Sequence, residues 1–409
     1  MSSKSASIEV IKQLRAAGFE AVLAGGCVRD LLLGRAANDY DVATSASPRE
    51  VIRLFGRTIK IGEHFGVVVV LLAGQQVEVA TFRSEGGYED GRHPNQVQFS
   101  GAQEDALRRD FTINGMFYDP LKKEVIDYVG GQQDLSNKVI RTIGKPEERF
   151  GEDYLRMLRA VRFSTQLDFA IEPQSWSAIG DYAKNITRIS GERIAMELES
   201  ILVDPNRSLG AAKLIKSGLA EAIFPGFADK QAKFAIKVLA HLRQKVDFPL
   251  ALAAFFADFT VNFAGEKCVI LMLSREQNRH IKFLLKNRGK LLDEKMSLAD
   301  LRKIAAEPYF EDLYELQKAI QTAKSDSRKS TAPLTALRER LKALGDTELK
   351  PKPFLDGNDL IGLGAVPGPQ VGQLAEEMYI AQLEGLLQNT EQARLWVQKW
   401  LQRHGLSEK

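Results

Sequence analysis

The run Leu23-Ala-Gly-Gly-Cys-Val-Arg-Asp30, followed by Asn38-Asp-Tyr-Asp-Val42, decides how the first part of this chain folds. A glycine pair between a short apolar segment and a helical pattern predicts a strand that turns sharply into a helix. Asp39 and Asp41 are two residues apart, and in an extended segment such residues point to the same face of a sheet. Carboxylates placed in this way repel each other unless a divalent cation lies between them, and oxygen ligands suit magnesium.

The glycine pair has a second consequence. Gly25 and Gly26 let the backbone approach a ligand closely where the predicted helix begins, and free amides there form an anion site. Arg29 adds a positive side chain to this site. An Asp-x-Asp run alone is more often part of a solvated turn and strand. Beside a phosphate site, however, the carboxylate pair indicates an active site for nucleotidyl transfer.

The composition sets broad limits. A chain of 409 residues predicts several modules rather than one core. Hydrophobic residues make up 44% and charged residues 27%, as in soluble globular proteins. No apolar run has the length of a membrane span, the first residues lack a signal-peptide core, and the two cysteines are far apart, so we expect a cytoplasmic protein. A net charge of +3 is too small to indicate a nucleic-acid partner by itself.

Helix and strand patterns alternate over about the first 140 residues, and helical patterns follow. The predicted strands include Tyr40–Val42, Val67–Leu72 and Val77–Phe82. Glu85–Gln96 is rich in glycine and charge, which predicts an exposed loop. Phe150–Gln166 is predicted as one continuous helix. The expected fold class is therefore α+β, with a small mixed sheet and its helices followed by an all-α remainder.

Glu78 and the pair Arg108-Arg109 are charged residues that could take part in metal or substrate binding. Glu78 lies in an apolar predicted strand, where a carboxylate is costly without a partner. It is either an outward-facing edge residue or the third carboxylate of a two-metal site. Paired arginines suit a triphosphate because guanidinium groups bind two oxygens at once. Alone, an Arg-Arg-Asp run is more often a solvated helix end.

A second informative segment runs from Gly151 to Arg162. Asp153, Arg156 and Arg159 are spaced by three residues, which predicts a slowly drifting stripe on one helix. Such a stripe is commonly a salt-bridged surface. The alternative is base recognition, in which a carboxylate accepts from the exocyclic amine of cytosine or adenine and an arginine donates to the neighbouring ring nitrogen. Guanine and uracil present a carbonyl instead and would leave the aspartate unpaired.

Five motifs in order resemble the class II tRNA nucleotidyltransferases, which are the bacterial CCA-adding enzymes, and their relatives the bacterial poly(A) polymerases. They are Gly25-Gly26-Cys-Val-Arg29-Asp30, Asp39-x-Asp41, Arg108-Arg109-Asp110-Phe-Thr-Ile-Asn114, Glu152-Asp153-x-x-Arg156 and Glu192-Arg193-Ile-x-x-Glu197. They cover about residues 20–200. The segment from Asp356 to Pro369 is also similar to the C-terminal part of these enzymes.

The resemblance implies four parts. A head at residues 1–140 would contain a palm of the polymerase-β type, and a neck at 141–200 would carry the base-reading helix. A helical body at 201–290 and a helical tail at 291–409 would hold the acceptor arm of tRNA through its shape and backbone. The expected partners are therefore tRNA, CTP and ATP, with no membrane and no obligate protein partner.

The resemblance also implies roles for individual residues. Asp39 and Asp41 would bind Mg²⁺, with Glu78 at the third acidic position. The triphosphate would be held by Gly25, Gly26, Arg29, Arg108 and Arg109. The base would be read by Asp153, Arg156, Arg159 and Arg162. Supporting roles would fall to Asp110, Asn114, Glu152, Glu192 and Arg193.

Two segments bear on which relative is closest in activity. Some relatives carry a phosphohydrolase domain with a His-Asp pair, but here Ala257 precedes Asp258, which predicts no such activity. A segment matching the flexible loop that CCA-adding enzymes use to switch from CTP to ATP contains Arg83, Glu85, Asp90 and Arg92. Its presence argues against an enzyme that stops after adding C. Poly(A) polymerase, A-only addition and, more remotely, an RNA-binding protein with an inactive head remain alternatives.

Overall fold

The computed structural model describes residues 1–59, 66–88, 94–227, 229–325, 328–345 and 348–404. The chain forms two compact units. The first comprises Met1–Ile236, Gln244–Phe248 and Glu266–Ser274, and the second Lys237–Arg243, Pro249–Gly265 and Arg275–Lys409. Among the helices in these ranges, none combines the length and apolar character needed to cross a membrane.

The strands found in the described ranges lie in the first unit. They are β1 Ala21–Ala24, β2 Val42–Thr44, β3 Thr58–Ile59, β4 Val67–Leu72, β5 Gln75–Thr81, β6 Arg83–Tyr88, β7 Pro94–Phe99, β8 Phe117–Asp119, β9 Glu124–Ile126, β10 Val139–Ile140 and β11 Ala170–Ile171. Seven of them form one sheet in the order β3-β4-β5-β2-β1-β8-β9, while β6 pairs with β7 and β10 with β11. The sheet is mixed, because β2 and β5 are parallel and the other neighbouring pairs are antiparallel.

The helices of the first unit include α1 to α11. They are α1 Ser3–Ala16, α2 Gly26–Leu32, α3 Pro48–Leu54, α4 Ala102–Leu107, α5 Gly131–Ser136, α6 Pro146–Glu152, α7 Leu155–Leu167, α8 Pro173–Tyr182, α9 Gly191–Leu202, α10 Arg207–Lys216 and α11 Leu219–Ile223. Helix α1 packs its buried side chains Val10, Ile11 and Leu14 toward β1 and β5. Ser47 and Glu50 form a capping box at the beginning of α3.

The α-helices continue through the described residues after Ile223. They are α12 Asp229–Ala240, α13 Phe248–Phe255, α14 Val261–Ile270, α15 Arg275–Asn287, α16 Leu298–Ala305, α17 Phe310–Lys324, α18 Ala332–Ala343, α19 Gly357–Gly362, α20 Pro369–Leu383 and α21 Thr390–Arg403. In the second unit, α19, α20 and α21 enclose a core that includes Leu360, Leu374, Met378 and Trp400. The expected α+β class, a mixed-sheet head followed by helices, is confirmed.

Three details of the predicted elements are wrong. Strand β2 begins at Val42, so Asp39 and Asp41 precede the strand instead of lying on it. The carbonyl of Asp41 accepts from the Ala24 amide at 3.0 Å, but the carbonyl of Tyr40 accepts from the Ser7 hydroxyl, so sheet pairing stops there. Strand β11 lies beyond residue 141, where only helices were expected, because its two residues pair with β10. The predicted helix Phe150–Gln166 is broken at Asp153.

The predicted loop Glu85–Gln96 is also wrong in part. Strands β6 and β7 pair from Arg83 with Phe99 to Tyr88 with Pro94, so Arg83 and Glu85 belong to a strand. A two-stranded ribbon outside the main sheet need not bury one face, and its polar composition therefore hides the strand signal. Asp90 and Arg92 lie outside the described residues.

Candidate active site

A cavity of about 520 Å³ lies in the first unit, between the sheet and helix α7. It is lined by most of the residues that the sequence singles out, among them Gly25, Gly26, Arg29, Asp41, Glu78, Arg83, Arg108, Arg109, Asp110, Asn114, Asp153, Arg156, Arg159 and Arg193. Asp39, Glu152, Arg162 and Glu192 are not among the lining residues. Segments far apart in sequence therefore meet at one cavity.

The glycine turn forms one wall of this cavity. Gly25 has φ +74°, a left-handed conformation that favours glycine, and helix α2 begins at the next residue. A Cβ atom at Gly25 would lie 3.0 Å from Nη1 of Arg109, so a side chain here would press on that guanidinium. The predicted strand–turn–helix is confirmed, and the glycine also leaves room for an arginine.

Arg29 projects from α2 and is held on three sides. Its Nε and Nη2 donate to the two carboxylate oxygens of Asp30 at 2.9 and 3.0 Å, and its Nη1 donates to Oδ1 of Asn114 at 2.9 Å. Its guanidinium carbon lies 5.3 Å from the centre of the Phe163 ring. These contacts fix the arginine beside the glycine turn.

The acidic end of the cavity depends on the sheet register. Val42 of β2 pairs with Val79 of β5, so Asp41 and Glu78, which immediately precede them, lie side by side. Burial, then the charges of Glu78 and Asp39, raise the pKa of Asp41 to about 6, although the charge of Arg109 opposes them. Glu78 is exposed on β5 between buried neighbours, and β5 is an internal strand, so it is not an edge residue.

The two arginines of the Arg-Arg-Asp run share one carboxylate. Asp105 on α4 is 1% exposed and forms ion pairs with Arg108 at 2.7 Å and with Arg109 at 2.9 Å. Asp110 is also buried and accepts from the Phe111 amide at 2.8 Å and from Nε of Arg159 at 2.8 Å. Asp105 and Asp110 are therefore built into the protein rather than solvated at a helix end.

Asp153 does not share a helix with Arg156 and Arg159, which corrects the predicted stripe. Its backbone is extended, at φ −147° and ψ 105°, and its Oδ1 accepts from the Leu155 amide at 3.0 Å. A side chain that bonds to the backbone in this way competes with the helix. Arg193 of α9 donates to Oδ2 of Asp153 at 2.9 Å and so fixes the carboxylate from the other side.

The remaining arginines of α7 are also paired. Arg156 forms ion pairs with Glu152 and donates to the carbonyl of Arg149 at 3.1 Å. Arg162 donates to Oε2 of Glu197 at 2.7 Å, and Glu192 is exposed. Burial, which the ion pair with Glu197 opposes, lowers the pKa of Arg162. Arg156 thus lines the cavity with a fixed orientation, whereas Arg162 points to a carboxylate on α9.

Sequence reasoning missed two residues at this site. Asp105 precedes Arg108 and Arg109 by three and four residues, a helical spacing that predicts ion pairs. Phe163 lines the cavity, and the guanidinium groups of Arg29, Arg159 and Arg162 lie 5.3, 5.4 and 4.3 Å from its ring centre. A phenylalanine in an amphipathic helix normally belongs to the core, so no sequence signal pointed to Phe163.

Comparison with known proteins agrees with these motifs. A family model described as the poly A polymerase head domain matches residues 21–141, and one described as a probable RNA- and SrmB-binding site of polymerase A matches residues 168–231. The chain is 35% identical over 407 residues to the CCA-adding enzyme of Lactobacillus johnsonii, covering 95% of each. It is 36% identical over 401 residues to that of Lactobacillus gasseri, again covering 95% of each.

A solved structure matches over nearly the whole length. The crystal structure of the Bacillus stearothermophilus CCA-adding enzyme in complex with CTP has a TM-score of 0.81 and 28% sequence identity, and the match covers 99% of each chain. The sequence identity and its coverage, together with this likeness, show that the chain belongs to the CCA-adding enzyme family.

Proposed function

We propose that this protein adds CCA to the 3′ end of tRNA from CTP and ATP without a nucleic-acid template. The observation that carries the proposal is the meeting of three groups at one cavity: the carboxylates Asp41 and Glu78, arginines for a triphosphate, and Asp153 with Arg156 for a base. In the reaction, the terminal 3′-oxygen forms a bond to the α-phosphorus and the bond from that phosphorus to the β-phosphate oxygen breaks. Pyrophosphate leaves, and the hydroxyl proton is released.

A divalent metal fits the acidic end. Burial, and then the negative charges of Glu78 and Asp39, raise the pKa of Asp41, and a hard cation would relieve the repulsion between these carboxylates. Asp39 and Asp41 would hold Mg²⁺, and Glu78 would complete the set of oxygen ligands. When bound, two such ions would lower the pKa of the attacking hydroxyl and stabilise the leaving pyrophosphate.

The other residues would bind and orient the nucleotide. The turn at Gly25 and Gly26 with Arg29 would contact the triphosphate, together with Arg108 and Arg109. Asp153 would accept from the amine of cytosine or adenine, and Arg156 would donate to the ring. Both are held by protein contacts, Asp153 by Arg193 and Arg156 by Glu152, which supports a preformed site for the base.

The helical remainder of the chain would bind the acceptor arm of tRNA. We retain the division into head, neck, body and tail at residues 140, 200 and 290 as part of this proposal, and we place the protein in the cytoplasm. The relatives named CCA-adding enzymes support this substrate. A poly(A) polymerase or A-adding activity is the second candidate, because the matching head model carries the poly A polymerase description.

The decisive experiment incubates tRNA that lacks its 3′ CCA, and in parallel tRNA that ends in CC, with each NTP alone and with CTP and ATP together. The products are then sized at single-nucleotide resolution. We expect C residues from CTP alone and a defined three-nucleotide product from both. Long A tails from ATP alone would instead identify a poly(A) polymerase. Addition of A only to tRNA that already ends in CC would identify an A-adding enzyme. The Asp41→Ala variant is the control for a contaminating transferase.

A further inference from the structure

Asp105 lies beneath the proposed triphosphate site without lining the cavity. Its Oδ1 accepts from Nε and Nη2 of Arg108 at 2.9 and 2.7 Å, and its Oδ2 accepts from Nε and Nη2 of Arg109 at 3.2 and 2.9 Å. Each carboxylate oxygen thus holds one guanidinium by two N–H groups. Such paired, charge-assisted contacts fix the plane of a guanidinium as well as its place.

The same carboxylate reaches the beginning of the β6–β7 ribbon. The backbone amide of Arg83, the first residue of β6, donates to Oδ1 of Asp105 at 3.3 Å. The predicted switching segment therefore begins at a hydrogen bond to the residue that orients both arginines. Burial raises the pKa of Asp105, but the charges of Arg109 and Arg108 outweigh it and hold that pKa below its ordinary value.

Arg109 keeps donors for a ligand while it is held. Besides its bonds to Asp105, its Nη1 donates to the Asn114 carbonyl at 3.4 Å, and its guanidinium carbon lies 5.2 Å from the Phe117 ring centre. A guanidinium has five N–H donors, so N–H groups of Arg109 remain for phosphate oxygens. The arrangement fixes Arg109 and leaves N–H groups of its guanidinium available to phosphate oxygens.

We propose that Asp105 is a positioning residue for triphosphate binding, which acts through Arg108 and Arg109 and joins them to the beginning of the β6–β7 ribbon. This inference rests on the proposed function of the cavity. It means that the two arginines are oriented before the nucleotide arrives, so less conformational entropy is lost on binding.

Whether an Asp105 variant binds a triphosphate more weakly or more tightly distinguishes this positioning role from a simple effect of net charge. Replacing Asp105 by Asn removes a negative charge next to the triphosphate site. If net charge governed binding, the variant would bind a triphosphate more tightly. If orientation of Arg108 and Arg109 governs binding, the variant binds more weakly. The amide keeps only one acceptor oxygen, turns an NH2 donor toward the other guanidinium, and removes the negative charge between the two arginines.

The test measures KM for CTP and ATP, inhibition by pyrophosphate, and KM for tRNA in the Asp105→Asn variant. We expect both nucleotide KM values and the pyrophosphate inhibition constant to rise about tenfold, with KM for tRNA unchanged. The matched control is Asp119→Asn. Asp119 is 3% exposed, pairs with Arg15 at 2.8 Å and lies away from this cavity, so its variant loses a similar buried pair. Unchanged or lower nucleotide KM values in Asp105→Asn would overturn the inference.

A double-mutant cycle excludes a general loss of structure. If Asp105 acts through Arg109, the Asp105→Asn change has a smaller effect on KM for CTP in an Arg109→Ala background than in the wild type. Equal effects in both backgrounds would contradict the proposal. Binding of inorganic triphosphate, measured by calorimetry on the full chain, gives a readout that does not require tRNA extension. Failure of the proposed function and failure of this inference are therefore distinguishable.

Discussion

The two ends of the cavity differ in whether their charged side chains have partners of opposite charge within the protein. At the acidic end, Asp41 is half-buried near the like charges of Glu78 and Asp39, and its partial burial and these charges raise its pKa to about 6. At the arginine end, Arg109 is paired with the buried carboxylate of Asp105, and Arg159 with that of Asp110. In the part of the chain that the structure describes, we find no ion pair that joins Asp39, Asp41 or Glu78 to a lysine or arginine.

This difference assigns the two ends different tasks. Repelling carboxylates are stable together only if a cation or a proton compensates them, so the acidic end is completed by something that the chain does not supply. The arginine end is compensated internally and can be rigid before the nucleotide binds. Variants of the acidic end should therefore affect the chemical step, and variants of the arginine end should affect stability, affinity or base choice.

The largest effect should come from the acidic end. We expect Asp41→Ala or Asp39→Ala to lower the rate of nucleotide transfer by about a thousandfold or more, because the ligands of the proposed metal are lost. Binding of tRNA, measured by gel shift, should remain largely intact. Near-normal incorporation by either variant with magnesium present would show that the two ends do not differ in this way.

The arginine end should show its largest effect in stability. Asp110→Asn breaks the buried pair with Arg159 and should destabilise the protein by about 3 kcal/mol at neutral pH, at the low end of the usual range because Arg159 is 34% exposed. Burial raises the pKa of Asp110, but Arg159 outweighs it and lowers that pKa from 3.8. Its stabilising contribution is therefore present above pH 3.8 and is lost as the pH falls further.

Melting temperatures of the wild type and Asp110→Asn, measured from neutral pH down into the acid range, check this sign. The difference in melting temperature between the two proteins should stay constant at neutral and mildly acidic pH. It should become smaller only below the ordinary aspartate pKa. A difference that narrows already near neutral pH would mean that the Asp110 carboxylate is not held in its charged form.

Much of both ends was predictable because its signals are local. The glycine turn, the aspartate pair and the Arg-Arg-Asp run each depend on residues a few positions apart, and all but Asp39 line the cavity. The contact between Asp41 and Glu78 was not derivable in this way, since it depends on the parallel register of β2 and β5. The apolar strand pattern left Glu78 as either an edge residue or a third carboxylate, the resemblance to a family favoured the second, and its place on an internal strand came only from the fold.

The errors have a common physical origin. Asp153 lies in a helical pattern, but its side chain caps the Leu155 amide and turns toward Arg193 of another helix. The hydrogen bonds of β6 and β7 lie between strands and leave no periodic mark in a polar sequence. In both cases part of the deciding contact lies outside the local pattern, because Arg193 is 40 residues from Asp153 and Arg83 pairs with Phe99 of the next strand, and the periodicity of one short segment does not show such contacts.

Base choice gives the next test of the arginine end. In Asp153→Asn, an amide replaces the carboxylate and can donate to the carbonyl of uracil or guanine. We expect the kcat/KM ratio of CTP to UTP, and of ATP to GTP, to fall about ten- to a hundredfold. Arg193→Ala is the informative companion, because it frees the Asp153 carboxylate without removing it. Unchanged ratios in a folded Asp153→Asn variant would place base recognition on other residues.

The smallest effect should come from Phe163, whose ring is shared by arginines of two different helices at the cavity. Its ring lies against Arg29 from the glycine turn and against Arg159 from the base-reading helix. Each cation–π contact contributes about 0.5–1 kcal/mol, so Phe163→Leu should raise KM for CTP and ATP about two- to fivefold, with kcat nearly unchanged. Phe163→Tyr keeps the aromatic face and should restore most of the affinity.

Phe111→Leu is the matched control for lost packing. Phe111 is fully buried and packs edge-on against Phe163, with ring centres 5.8 Å apart, and among the described residues no arginine or lysine lies over its ring. It should lower the melting temperature as much as Phe163→Leu does, but with a smaller change in nucleotide KM. If the two leucine variants raise the nucleotide KM equally, the Phe163 ring contributes only packing. Arg29 and Arg159 are then positioned independently of this ring, by their own hydrogen-bond partners.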